Sequence, residues 1–161
     1  ASIEYTKNQV ESGIDCFQLF ETYSGIISNE DYKNFILPLS TKILLEARGS
    51  GVPTIFFPKN FNEGLKYINI EMCDYVSVDY DISLEHARNL LHSEVGIQGN
   101  MDPKIFYQEI DEIDNYLNSL IDFGSKNTDW IFNLGHGLRP DIDHVKVKYV
   151  VNWIKSANWK R

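Results

Sequence analysis

His136 is flanked by glycines in the segment Leu134-Gly135-His136-Gly137. Small neighbours leave its imidazole uncrowded and let the backbone come close to a ligand. A histidine so placed can hydrogen-bond a carboxylate or donate a proton near neutral pH; the competing reading is a loop histidine in a glycine turn. Asp79 follows the run Val76-Ser77-Val78 and could act as a general acid or a substrate hydrogen-bond acceptor, while a structural carboxylate holding a neighbouring loop amide fits equally well. Lys59 is a candidate contact for an acidic substrate, set against the plainer role of a surface lysine. Thr22 with His136 suggests a nucleophile and its base, but no GxSxG elbow surrounds Thr22. His136, Asp141, Asp143 and His144 suggest a metal site. Yet no HxxxH or HxxEH spacing is present, and Asp141 or Asp143 more simply caps the following helix, so no metal is expected.

What these residues share is position. Short apolar runs at Cys16 to Phe20, Thr54 to Phe57, Tyr75 to Val78, Val95 to Gln98 and Trp130 to Asn133 lack strict alternation, as expected of parallel strands covered on both faces. Amphipathic stretches separate them. Val147, Val150, Val151 and Ile154 predict one buried helical stripe, Ile110, Ile113, Leu117, Leu120 and Ile121 a second, and Leu84, Ala87 and Leu91 a third behind an N-cap at Ser83. Asn29, Glu30 and Asp31 open the longest helical region, which Pro38 is expected to break or kink into a helix-turn-helix ending at Arg48. Asp102-Pro103 reads as a cap followed by proline at the first helical position. The class is α/β. Ligands of parallel α/β folds lie beyond the C-terminal strand ends, where Thr22, Lys59, Asp79, Asn100, Asp102 and His136 all fall. Asn100 and Asp102 read as architectural, shaping the strand-to-helix turn. Periodicity does not choose between a barrel segment and a doubly wound open sheet.

With 161 residues, 43% of them hydrophobic, the chain is long enough for one compact unit with a real core. A net charge of -8 argues against nucleic acid as a partner. No apolar run approaches the roughly 20 residues of a membrane span, so the expectation is a soluble, cytoplasmic protein. Cys16 and Cys73 lie in apolar stretches outside any CxxC and read as reduced and buried. The chain opens on Ala1, and its first residues, with Ile3 and Val10 one heptad apart ahead of Gly13, read as the middle of a larger whole; a truncated or processed product is expected.

Five segments in order carry a resemblance: Gln18-Leu19-Phe20-Glu21-Thr22-Tyr23-Ser24-Gly25, Phe35-Ile36-Leu37-Pro38, Val78-Asp79-Tyr80, Gln98-Gly99-Asn100-Met101-Asp102-Pro103 and Phe132-Asn133-Leu134-Gly135-His136-Gly137. Together they resemble the uroporphyrinogen decarboxylase family, with Glu21, Tyr23 and Ser24 standing where Asp, Trp and Gly are more usual. The resemblance implies a TIM (β/α)8 barrel of which this chain supplies the last five βα units. It also implies a homodimer and a cofactor-free conversion of uroporphyrinogen III to coproporphyrinogen III and CO2. It casts Thr22 and His136 as substrate-binding residues, with Asp79 and Lys59 as further candidates. The family's arginine-rich segment, its pyrrole-holding aspartate and a substrate-binding tyrosine lie upstream of Ala1. Arg48, Arg88, Arg139 and Arg161 form no sequence cluster, so activity is expected only together with that upstream part. Two further readings stand beside it: a non-catalytic barrel remnant serving as a binding or assembly subunit, and a zinc or corrinoid methyltransferase of the same superfamily. The second would need Cys ligands that neither Cys16 nor Cys73 supplies in a recognisable motif.

Overall fold

The computed structural model describes residues 1–159. Its elements are α1 (Ser2–Glu11), β1 (Phe17–Glu21), α2 (Asn29–Asp31), a π-helical stretch (Tyr32–Ile36), α3 (Leu37–Gly49), β2 (Thr54–Pro58), a 3-10 turn (Asn62–Tyr67) and β3 (Tyr75–Ser77). There follow α4 (Leu84–Leu90), β4 (Gly96–Gln98), a second 3-10 turn (Pro103–Tyr107), α5 (Ile110–Lys126), β5 (Trp130–Ile131) and α6 (His144–Ser156). All five predicted strands form, within one or two residues of their expected bounds.

The sheet runs in the order β1-β2-β3-β4-β5, and every pair is parallel. That order decides what periodicity left open. A doubly wound sheet reverses its strand order at a switch point and carries helices on both faces; a sequential order with right-handed crossovers keeps every helix on one face. Phe56, Val76 and Ile97 accordingly lie fully buried on the helix side. The alternate residues Gln18, Phe20, Phe57 and Ser77 line a cavity on the other side. The sheet also curls. In a flat sheet β1 and β4 would stand about 14 Å apart, yet the Gln98 side-chain amide reaches Gln18 Oε1 at 3.4 Å.

At the N-terminal rim of the strands, Asp74 ties helix to sheet. Its carboxylate accepts the Thr54 backbone N–H and hydroxyl, each at 2.8 Å, and its other oxygen meets the Arg48 guanidinium of α3 at 3.2 Å. Arg48 also donates to the Ile70 carbonyl. Thr54 is wholly buried, so Asp74 is what satisfies it.

Several expectations need correction. Pro38 does not divide this stretch into a helix-turn-helix: helical backbone runs from Asn29 to Gly49, with a wide turn in which Leu37 N–H bonds Tyr32 O. That wide turn immediately precedes the proline and accommodates its missing N–H. Val151 is 44% exposed, because the stripe of α6 runs through Val150, Trp153 and Ile154 toward α5 and the Trp130 ring. Ile110, at the mouth of α5, is exposed as well. Cys16 is exposed and only Cys73 is buried, since Cys16 precedes the first ladder pair and lies at the strand's end rather than under a helix. Ser83, Asp102 and Asp143 cap as expected, accepting from His86, Lys104 and Val145 N–H respectively. Among the described residues no helix is long and apolar enough to cross a membrane.

Candidate functional site

Lys59 sits one residue past β2 on a backbone clamped from both sides. Its N–H donates to the Glu21 carbonyl at 3.0 Å, and its own carbonyl accepts from the buried Ser24 hydroxyl. The next N–H, that of Asn60, donates to the Asp79 carboxylate. Asn60 adopts φ 60°, a conformation that asparagine tolerates better than most residues. From this anchor the Lys59 ammonium reaches 3.3 Å from His136 Nε2. An ammonium can only donate, so Nε2 accepts and the imidazole proton resides on Nδ1, which lies 3.5 Å from Gly137 O.

His136 is placed by strand pairing carried past β5. A parallel bridge joins Met101 to Leu134, and Gly135 N–H donates to Met101 O at 2.9 Å. The two flanking glycines serve different ends. A Cβ at Gly135 would lie 2.3 Å from Tyr80 N and 2.9 Å from the Asp79 carbonyl carbon, whereas one at Gly137 would meet nothing within 4 Å. Gly135 therefore exists for close packing on the end of β3, and Gly137 leaves the imidazole's far side open.

Asp79 is buried and takes the structural role anticipated for it, holding the Asn60 amide. Burial pushes its carboxyl above the ordinary 3.8; the Asn60 hydrogen bond opposes this, Asp81 adds to it, and the Lys59 charge opposes it. Its backbone carbonyl accepts from the Asn100 side-chain amide at 2.7 Å, which also bonds the Ile82 carbonyl, so Asn100 shapes the turn as expected. Asp79, Lys59 and His136 thus form one unit, with the carboxylate beneath and two nitrogen groups above.

Of these three, His136 lines a cavity of about 210 Å³, together with Gln18, Phe20, Phe57, Ser77 and Asn133. Phe20 and Phe57 meet edge to face at 5.9 Å between ring centres, giving the cavity an apolar wall. Sequence reasoning passed over these lining residues because it looked only at strand ends; the signal was there in the two-residue spacing of Gln18 and Phe20. Of the four candidates His136 alone lines this cavity; Lys59 meets His136 at 3.3 Å, Asp79 holds the Asn60 N–H beside Lys59, and Thr22 is exposed just beyond β1. Glu21 bonds the Tyr23 N–H at 2.9 Å, closing its own turn. Asp141 accepts from the Tyr107 hydroxyl at 2.9 Å and Asp143 is a helix cap. Among the described residues no group of three His, Cys, Asp or Glu side chains is arranged to hold a metal ion.

An ammonium facing an imidazole that lines a partly apolar cavity suits a ligand with a carboxylate and a greasy body. The family model described as uroporphyrinogen decarboxylase matches residues 1–157. Proteins named uroporphyrinogen decarboxylase are similar to this chain in Vesicomyosocius okutanii (32% identical, 96% of this chain and 45% of that protein), Chlorobium luteolum (34%, 98% and 46%) and Thermoplasma acidophilum (33%, 97% and 46%). The chain thus spans about half the length of the curated relatives it matches. Its sequential parallel sheet is a stretch of the (β/α)8 barrel of that family. On motif order, fold and this match over nearly its whole length, the chain belongs to the uroporphyrinogen decarboxylase family.

Proposed function

We infer that the whole protein carrying this chain decarboxylates the acetate side chains of uroporphyrinogen, and that this chain supplies the part of the site that holds substrate carboxylates. The observation that carries the reading is the Lys59–His136 pair at 3.3 Å. A carboxylate arriving between the two nitrogens would accept from Lys59 Nζ and from an imidazole that turns its N–H toward it. Phe20 and Phe57 offer apolar surface to the macrocycle, and Thr22 offers a hydroxyl from the rim.

The chemistry explains why these residues are not enough. Breaking the bond to the carboxylate releases CO2 and leaves an electron pair on the methylene carbon. A protonated pyrrole ring accepts that pair, and the carbon is protonated afterwards. A carboxylate beside the pyrroles and a proton donor must serve these steps. Asp79 does not fit that task, being buried beneath the site and committed to Asn60. The resemblance assigns those roles to upstream residues. The protein acts without a cofactor on this reading, and the barrel is completed by the preceding part of the same polypeptide.

The test is conversion of uroporphyrinogen to coproporphyrinogen by the full-length protein, with substrate and products resolved by chromatography. His136→Ala is expected to lower kcat/KM by about 10- to 100-fold, the scale of one lost charge-assisted contact. Wild-type turnover in that variant would remove His136 from the site. No conversion by the full-length wild type would remove the reaction itself and favour a binding or assembly role.

A further inference from the structure

Arg139 has no cationic neighbour in sequence, but it has one in space. A second cavity of about 260 Å³ is lined by Lys104, Arg139, His136, Tyr80 and Asp102, on the outer side of the imidazole. His136 and Gly137 line this cavity and the inner one alike, so the imidazole stands as the partition between them. Lys104 comes from the turn after β4 and Arg139 from the loop after β5. Among the described residues neither forms an ion pair with a protein carboxylate. The two acids nearby are already engaged: Asp102 accepts the Lys104 backbone N–H at 2.8 Å, and Asp141 accepts the Tyr107 hydroxyl at 2.9 Å. Two cations and one carboxylate, that of Asp102, thus line a single concavity beside His136 in a chain carrying a net charge of -8.

We propose that Lys104 and Arg139 form a second carboxylate subsite, which takes a neighbouring acid side chain of the ligand whose first carboxylate is held between Lys59 and His136. This rests on the decarboxylase reading for the identity of the ligand, a polycarboxylate tetrapyrrole, though not for its charge. Guanidinium and ammonium groups serve differently here: Arg139 offers a planar two-pronged donor and Lys104 a compact point charge. The subsite acts on affinity and on the order in which side chains are presented, not on bond breaking.

The experiment uses the full-length protein and the double variant Lys104→Gln/Arg139→Gln. Both residues are exposed, and circular dichroism and thermal unfolding check that the variant folds. A charge-keeping variant, Lys104→Arg/Arg139→Lys, is the control. Two measurements are made: calorimetric titration with citrate at low ionic strength, and steady-state kinetics with uroporphyrinogen. The expected result is a fall of about tenfold or more in citrate affinity and a similar rise in KM, with kcat changed less than about twofold. The charge-keeping control should regain most of both. Citrate affinity equal to wild type in the double variant overturns the subsite, as does an absence of citrate binding by the wild type. A fall in citrate affinity with unchanged KM overturns it as a substrate subsite. If the wild type does not turn over uroporphyrinogen but the double variant still loses citrate, the anion subsite stands and the decarboxylase reading falls.

Discussion

Between them, Gly135 and Asp79 set where Lys59 and His136 stand, although neither offers an atom to a ligand in the cavity. Gly135→Ala would drive a methyl into the Asp79–Tyr80 backbone. The expected cost is about 1–3 kcal/mol of stability, and a shift of His136 on the order of 1 Å would lower kcat/KM by about 100-fold. Gly137→Ala, which meets open space, should change stability by no more than about 0.5 kcal/mol; denaturant melts and kinetics on the pair separate packing from exposure. Asp79 predicts a pH effect of definite sign. A carboxyl raised above 3.8 by burial binds its proton more tightly folded than unfolded, so its contribution to stability is fullest below 3.8 and is lost as pH rises through the higher folded value. Asp79→Asn keeps an acceptor for Asn60 without the charge. The wild type should therefore lose stability relative to this variant as pH rises from 3.8 through the raised folded value, and parallel urea melts that show no such divergence would refute the assignment. At this scale the sequence revealed which residues stand at strand ends. It did not reveal that Lys59 and His136, 77 positions apart, touch, because that depends on the curl of the sheet.

Strands were legible as elements because each is a short apolar run, the first four closed by Glu21, Pro58, Asp79 and Gly99. Their order was not, since pairing is a relation between runs and leaves no trace within one. The wide turn at Tyr32–Ile36 was hidden for a related reason: a change from four- to five-residue bonding alters no composition, and Pro38 pointed to a break that the wider turn absorbs. Glu109 was missed as the cap of α5. Its capping box with Glu112 uses a glutamate in a place where serine, threonine or aspartate is the usual signal. The tie between α3 and the sheet through Asp74 supplies the prediction for this scale. Asp74→Ala strands the buried Thr54 N–H and hydroxyl together with one guanidinium, and should cost about 2–4 kcal/mol. Because Asp74 lies at the rim opposite the site, KM of the folded fraction should stay unchanged; a rise in KM would show that the two rims are coupled.

For the molecule as a whole, charge argued against nucleic acid, the alternation of apolar runs and amphipathic stretches gave the α/β class, and the ordered motifs carried the family. What they did not give is how much of the inner face stays uncovered in this chain. Phe20 is 65% exposed and Ile131 39%, and both lie on the outermost strands, whose outer edges pair with no strand among the described residues. An exposed apolar face with two open edges favours association. Residues 1–161 by themselves should show an average mass that rises with concentration in sedimentation equilibrium, and co-expression with the preceding part of the polypeptide should suppress the rise. A single monomeric species over the whole concentration range would contradict this.

The Gln18–Gln98 contact has a mechanical side. Each backbone ladder in this sheet links nearest neighbours alone, so a few degrees of flattening at each ladder would add up across the strands without breaking any ladder bond. Lys59 follows β2 and His136 follows β5, so three ladders lie between them. Their separation therefore works as a strain gauge for that part of the sheet: stiffening any of the three brings the pair into register, and loosening any of them opens it. Ligand affinity is thus a property of the arch as well as of the two side chains it carries.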